Sequence, residues 1–131
     1  IDIDPGCLAV ARKNLELHKV TGQIINSNLL DKINRPPNVI LANLPYVPAS
    51  HTINEAAMHE PKIAIFGGDD GLDLYRNLFK QISKNTIKPS YILTESLPFQ
   101  HESLSKIAVK AGYELMKTDD FIQCYFYQSA G

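Results

Sequence analysis

Asn43-Leu44-Pro45-Tyr46-Val47-Pro48 sets an amide side chain, a backbone carbonyl, a rigid turn and an aromatic ring at the end of an apolar run, Val39-Ile40-Leu41. The run reads as a buried strand. It must stop where the prolines begin, because Pro45 and Pro48 cannot donate to a sheet ladder. In open α/β sheets the C-terminal ends of the strands are where ligands bind. The chemistry this group suits is methyl transfer to a planar nitrogen, an amide or an exocyclic amine. Such a nitrogen is a poor nucleophile because its lone pair is delocalised. The Asn43 side-chain oxygen and the Leu44 carbonyl would hold its two N–H groups and favour tetrahedral geometry as the methyl arrives. Tyr46 would stack on the planar group and fix its height.

The elements that must position this group alternate between strand and helix. Ile1-Asp2-Ile3-Asp4-Pro5 reads as a strand end running into a helix, with Asp4 as N-cap and Pro5 as the first helical residue. Leu8, Val10, Ala11, Leu15 and Leu17 give that helix an apolar face, and Gly22 follows its end. A short strand is expected around Ile24-Ile25, then a turn at Leu29-Leu30-Asp31, a loop over 34–38 and the central strand over 39–43. Ile53 to Met58 reads as a short helix ended before Pro61, and Ile63-Ala64-Ile65-Phe66 as a short apolar segment. Gly67-Gly68-Asp69-Asp70-Gly71 is a turn that starts a helix, with Asp70 as a cap. The helix over 72–85 carries Leu72, Tyr75, Leu78, Phe79 and Ile82 on one face. Tyr91 to Glu95 is a strand. Residues 99–111 form a helix with Leu104, Ile107, Ala108 and Ala111 inward, ended by Gly112. Residues 113–117 and 121–127 form an antiparallel hairpin. The fold class is α/β, a mostly parallel sheet flanked by helices and closed by a hairpin.

Composition bounds the function classes. The chain has 131 residues, 44% hydrophobic and 21% charged, which suits one globular domain. Net charge is −1, from 13 Lys+Arg against 14 Asp+Glu, so there is no basic footprint for nucleic acid. Cys7 and Cys124 are far apart in sequence, which argues against a disulfide framework or a cysteine metal site and for a reducing cytosol. They are expected to be buried packing residues. His18, His51, His59 and His101 have no metal-ligand spacing. His51 and His59 fall in the segment expected to border a substrate cleft. No run approaches the length of a membrane span.

Strand–helix alternation with this motif resembles the class I S-adenosylmethionine-dependent methyltransferases. The closer resemblance is to the glutamine N(5)-methyltransferases that modify peptide chain release factors. Asn43-Leu44-Pro45-Tyr46-Val47-Pro48 is similar to the family's Asn-Pro-Pro-Tyr-Ile-Pro, with leucine in the second place. Glu60-Pro61, followed by Ala64-Ile65-Phe66-Gly67-Gly68-Asp69-Asp70-Gly71-Leu72-Asp73-Leu74-Tyr75-Arg76, resembles the family's Glu-Pro…Ala-Leu-x-Gly-Gly-x-Asp-Gly-Leu-x-x-Tyr-Arg and is the more specific match. Asn-x-Pro-Tyr alone is shared with other nitrogen methyltransferases, including adenine enzymes.

The resemblance implies S-adenosylmethionine as cofactor and a protein glutamine, in a release factor, as substrate. It puts Asn43, Leu44, Pro45 and Tyr46 at the substrate amide, with Asn43 also bordering the cofactor. It puts Asp2 where a carboxylate accepts the cofactor's ribose hydroxyls, and Asn28 near the adenine, where the family usually has Asp. Glu95-Ser96-Leu97-Pro98-Phe99-Gln100 stands where the family often has Glu-Ile-Gly-x-x-Gln, with Gln100 retained and the glycine replaced. The family's glycine-rich loop after its first strand has no counterpart here, and the chain opens in mid-pattern, so upstream sequence is expected. The strand over 39–43 would then have an exposed apolar edge, and self-association through it is expected. Two alternatives stay open: an adenine methyltransferase on RNA or DNA, and an incomplete domain without cofactor binding.

Overall fold

The computed structural model describes residues 1–53 and 59–128. The expected helix over Ile53–Met58 therefore falls, beyond Ile53, outside the described residues. The chain divides into two compact units, Ile1–Arg35 and Pro36–Gly131.

In the first unit, α1 spans Pro5–Leu17. Asp4 caps it, its carboxylate accepting the Gly6 N–H at 2.6 Å, with Pro5 in the first turn. Leu8, Ala11 and Leu15 follow the spacing of one helical face, and Leu8 is buried. Val10 and Leu17 lie on the other side and are 58% and 74% exposed, so the apolar face is narrower than the sequence suggested. Lys19, not Gly22, ends the helix. It takes φ 53°, and the Val20 N–H reaches the Leu15 carbonyl at 3.0 Å while the Lys19 N–H reaches Glu16. This is the left-handed C-terminal motif glycine usually fills. The expected strand at Ile24-Ile25 is reduced to one parallel bridge between Asp2 and Asn26. Its partner has no room to be longer, because Asp4 already caps α1.

In the second unit, β1 (Val39–Ala42), β2 (Tyr91–Glu95), β3 (Tyr113–Asp119) and β4 (Ile122–Tyr127) form a sheet in the order β1-β2-β4-β3. β1 and β2 pair in parallel, whereas β4 pairs antiparallel with both β2 and β3. The sheet is thus less parallel than expected, because the terminal hairpin lies directly on β2. The hairpin turns at Asp120, with φ 51°, and a register shift falls between Leu115 and Lys117.

Alternate residues decide the core. Ile40, Ala42, Ile92, Thr94, Gln123, Tyr125 and Tyr113 are buried. The residues between them are not: Leu41 is 77% exposed and Val39 46%. The run read as a buried strand is therefore half-exposed, with side chains alternating across the pleat. Cys124 lies on the less buried side of β4, and Cys7 is exposed on α1, so neither is the buried packing residue expected.

The helix α3 (Asp73–Lys84) buries Tyr75, Leu78, Phe79 and Ile82, preceded by buried Leu72. This is the face its periodicity marked. Phe79 meets Tyr113 and Tyr125 edge-on, with centroids 5.8 and 6.2 Å apart, a preferred aromatic geometry. The helix expected over 99–111 opens as a 3₁₀ turn, Pro98–Gln100, and continues as α4 (His101–Lys110). Gly112 follows with φ 88°. The apolar segment at 63–66 is one helical turn, α2 (Lys62–Ile65), after which Phe66 bridges to Val47. Among the described residues, no helix is long and apolar enough to cross a membrane.

Candidate active site

Because β1 and β2 are parallel, their C-terminal ends fall on one side of the sheet. Ala42 pairs with Thr94, so Asn43, just past β1, stands beside the end of β2 at Glu95. The loop that starts at Asn43 is tied down along its length.

At its start, the buried Tyr75 hydroxyl of α3 lies 2.9 Å from the Ala42 carbonyl and within hydrogen-bond distance of the Glu95 carbonyl. One proton serves one of these carbonyls at a time. The same oxygen accepts the Glu95 N–H at 3.2 Å and, more weakly, the Leu44 N–H at 3.4 Å. Burial is the main reason the Tyr75 phenol is held well above its ordinary pKa, so it remains a donor. Further along, the Tyr46 hydroxyl donates to a Glu95 carboxylate oxygen at 2.8 Å. Burial first, and then that hydrogen bond, push its pKa up to about 12.

Beyond Tyr46 the backbone takes over. The Val47 N–H bonds the Ile65 carbonyl and the Gly67 N–H bonds Val47, both at 3.0 Å, and the Ala49 N–H bonds Gly68 at 2.9 Å. The glycine cluster at 67–71 is therefore a buttress behind the loop. A Cβ on Gly67 would stand 2.3 Å from the Pro45 carbonyl oxygen, and one on Gly71 would stand 2.0 Å from that of Tyr46. Neither position can hold a side chain without moving the loop. Asp70 accepts the Leu72 N–H at 3.0 Å and pairs with Arg76, which also binds Asp73. The Arg76 hydrogen bond is the main reason the Asp70 carboxyl sits below its ordinary pKa. Asp70 is therefore not the cap the sequence suggested: Leu72 holds the N-cap position of α3 without a side-chain capping bond, and Asp70 fixes the turn just before it.

Gln100 closes the arrangement. Its side-chain N–H₂ donates to the carbonyls of Tyr46 and Asp70, both at 2.7 Å, and its oxygen accepts the Leu97 N–H at 2.8 Å. The replaced glycine in the 95–100 segment does not prevent this contact. At the rim, His51 and Phe99 stack with centroids 5.4 Å apart; Phe99 is 62% exposed.

The structure thus brings Asn43, Leu44, Pro45 and Tyr46 together with Glu95 and Gln100. Asn43 is exposed, and Leu44, Pro45 and Tyr46 are half-buried. Among the described residues, neither the Asn43 side chain nor the Leu44 carbonyl has a hydrogen-bond partner. The neighbouring carbonyls of Ala42, Tyr46 and Val47 are all engaged. The hydroxyl of Tyr75 escaped the sequence reading, which saw only an apolar helix face. The family-like Tyr in Gly-Leu-x-x-Tyr-Arg was its one signal.

Asp2 and Asn28 belong to the first unit. Asp2 is half-buried as a residue, and its carboxylate accepts the Asp4 N–H at 2.8 Å in an exposed hydrogen bond. The Asp2 backbone is fixed by bonds to Ile25 and Ser27. Asn28 is exposed in the turn that follows, its carbonyl accepting the Asp31 N–H at 3.2 Å.

No family model matches the chain. A release factor glutamine methyltransferase of Borreliella burgdorferi is 34% identical over 122 residues, which cover 89% of this chain and 42% of that protein. A ribosomal protein uL3 glutamine methyltransferase of Francisella tularensis is 31% identical over 100 residues, covering 72% of this chain and 32% of that protein. The chain spans less than half the length of either relative. Among solved structures, a ribosomal protein L11 methylase from Lactobacillus delbrueckii matches with a TM-score of 0.64 at 12% identity, covering 98% of this chain and 56% of that one. That likeness establishes the fold, a class I methyltransferase sheet. By sequence, and consistently with that fold, the chain is a relative of the release factor glutamine methyltransferases.

Proposed function

We propose that this chain carries the substrate-binding part of a methyltransferase that acts on the side-chain amide nitrogen of a protein glutamine. The observation that carries the reading is that the Asn43 side chain and the Leu44 carbonyl have no partner among the described residues, on a loop whose Tyr46 and Val47 carbonyls are engaged. A primary amide has two N–H groups, and this pair offers one acceptor to each. Holding both draws electron density toward nitrogen and favours pyramidal geometry there. The Tyr46 ring, fixed by Glu95, supplies a flat surface for the amide plane. No strong base is needed in advance, since the N–H becomes acidic only as nitrogen forms its new bond. The contribution of the chain is positioning and carbonyl electrostatics.

The group implied as methyl donor is S-adenosylmethionine, which when bound supplies an electrophilic methyl on a sulfonium. Asp2 and Asn28 fit its nucleoside chemically: a carboxylate accepts ribose hydroxyls and an amide oxygen accepts an adenine N–H. We assign them those roles, with Asn43 bordering the methyl donor. Within the substrate class, the release factor is the finer assignment, and it rests on the relatives' names. Cytosolic action follows from that substrate.

The test is Asn43→Ala in the complete enzyme. By analogy with loss of one oxyanion-hole donor, turnover on a release factor should fall on the order of 10²–10³-fold. Near-normal turnover would overturn the role. Methyl transfer to an adenine-containing oligonucleotide but not to a release factor would replace the substrate class.

A further inference from the structure

Two polar side chains behind the Asn43 loop have no role in the reaction as described, yet both are almost wholly inaccessible: Tyr75 is 0% exposed and Gln100 2%. Burying an amide or a phenol is costly unless its hydrogen bonds are made, so their partners indicate what they are for. Tyr75 holds the start of the loop through Ala42 and Leu44 and couples it to Glu95 at the end of β2. Gln100 holds the far end. Both hydrogens of its amide go to backbone carbonyls, Tyr46 on the loop and Asp70 on the glycine turn behind it. Its oxygen is occupied by Leu97. The Asn43 side chain and the Leu44 carbonyl, neither with a partner among the described residues, lie between these anchors. Gly71 completes the fit, since a Cβ there would strike both the Tyr46 carbonyl and the Gln100 amide nitrogen.

We propose that Gln100 and Tyr75 are positioning residues that pin the acceptor loop from its two ends and so set where the Asn43 and Leu44 oxygens meet the substrate amide. The inference rests on the amide-holding role given to those two acceptors. A loop that loses either anchor would keep its bonds to Glu95, Ile65 and Gly68 but lose the fixed spacing of the two oxygens. Two acceptors that must engage one planar nitrogen tolerate little displacement. Glutamine is required at 100 because both facing groups are carbonyls. A carboxylate would present lone pairs to lone pairs, and an apolar side chain would leave both carbonyls unpaired.

The test uses Gln100→Met and Tyr75→Phe, each close in volume to the original, in the complete protein. The readouts are kcat and KM on a glutamine peptide, KM for the methyl donor, and backbone hydrogen exchange. In each variant kcat should fall on the order of 10²-fold, with KM for the methyl donor unchanged. Exchange at residues 43–47 should quicken while that of β2 and β4 stays as in the parent. Should Gln100→Met fail to fold, Tyr75→Phe decides. A kcat within about twofold of the parent, or unchanged exchange at 43–47, would overturn the proposal. A parent that transfers no methyl to glutamine would remove the amide-holding role instead. In that case exchange quickening confined to 43–47 would still support the anchoring, and its absence would end it.

Discussion

Tyr46 hydrogen-bonds to Glu95 across 49 positions of sequence, and its titration reports its burial together with that contact. Its phenol is raised from 10.0 to about 12, first by burial and then by the Glu95 carboxylate. A raised pKa means that the bond's stabilising contribution is complete below pH 10 and is lost as pH rises through about 12. Alkaline absorbance titration of the chain against Tyr46→Phe should therefore show the missing phenol ionising near 12. A difference curve centred near 10 would mean that the phenol is neither buried nor bonded to Glu95 in solution. At this scale the motif was legible in the sequence. An amide, a carbonyl and an aromatic ring at a strand end announce themselves by type and order. The partners of Tyr46 were not legible, because Glu95 reaches its hydroxyl and Gln100 its backbone carbonyl only when separate loops pack together.

The glycine turn shows how an element can serve a site that it does not enter. Gly71 has φ 80° and leaves no space for a Cβ beside the Tyr46 carbonyl. The left-handed backbone alone disfavours alanine. Gly71→Ala should lower methyl transfer by more than its loss of stability explains, because the loop must move to admit the methyl group. Paired melting and turnover measurements check this: a variant that loses stability but keeps full turnover when folded would show that the turn does not set the loop. Element boundaries were legible wherever periodicity was strong. The face of α3 and the limits of β2 came out as read. Where the signal was a single residue type, it misled. Gly22 was expected to follow α1, yet Lys19 takes the left-handed position, since the hydrogen bonds to Leu15 and Glu16 compensate the strain.

At the scale of the molecule, β1 lies at one edge of the sheet formed by the described strands, and Leu41 on it is 77% exposed. An apolar edge strand is a template for pairing with another chain. We expect this chain to self-associate through that edge, with a light-scattering mass that rises with concentration. A monodisperse monomer would count against it. The alternation of strands and helices, the buried face of α3, the terminal hairpin and the chemical character of the Asn43 loop can all be read from the amino-acid string. All of these follow from local periods, turn chemistry and side-chain type, which a linear string carries. Long-range packing alone puts the hairpin on β2, leaves half of β1 exposed, and sets the glycine turn, Tyr75 and Gln100 against the loop. Those contacts join positions as far apart as Tyr46 and Gln100, 54 residues from each other. No local pattern encodes such a pairing, because it exists only once the sheet has brought the ends of β1 and β2 side by side.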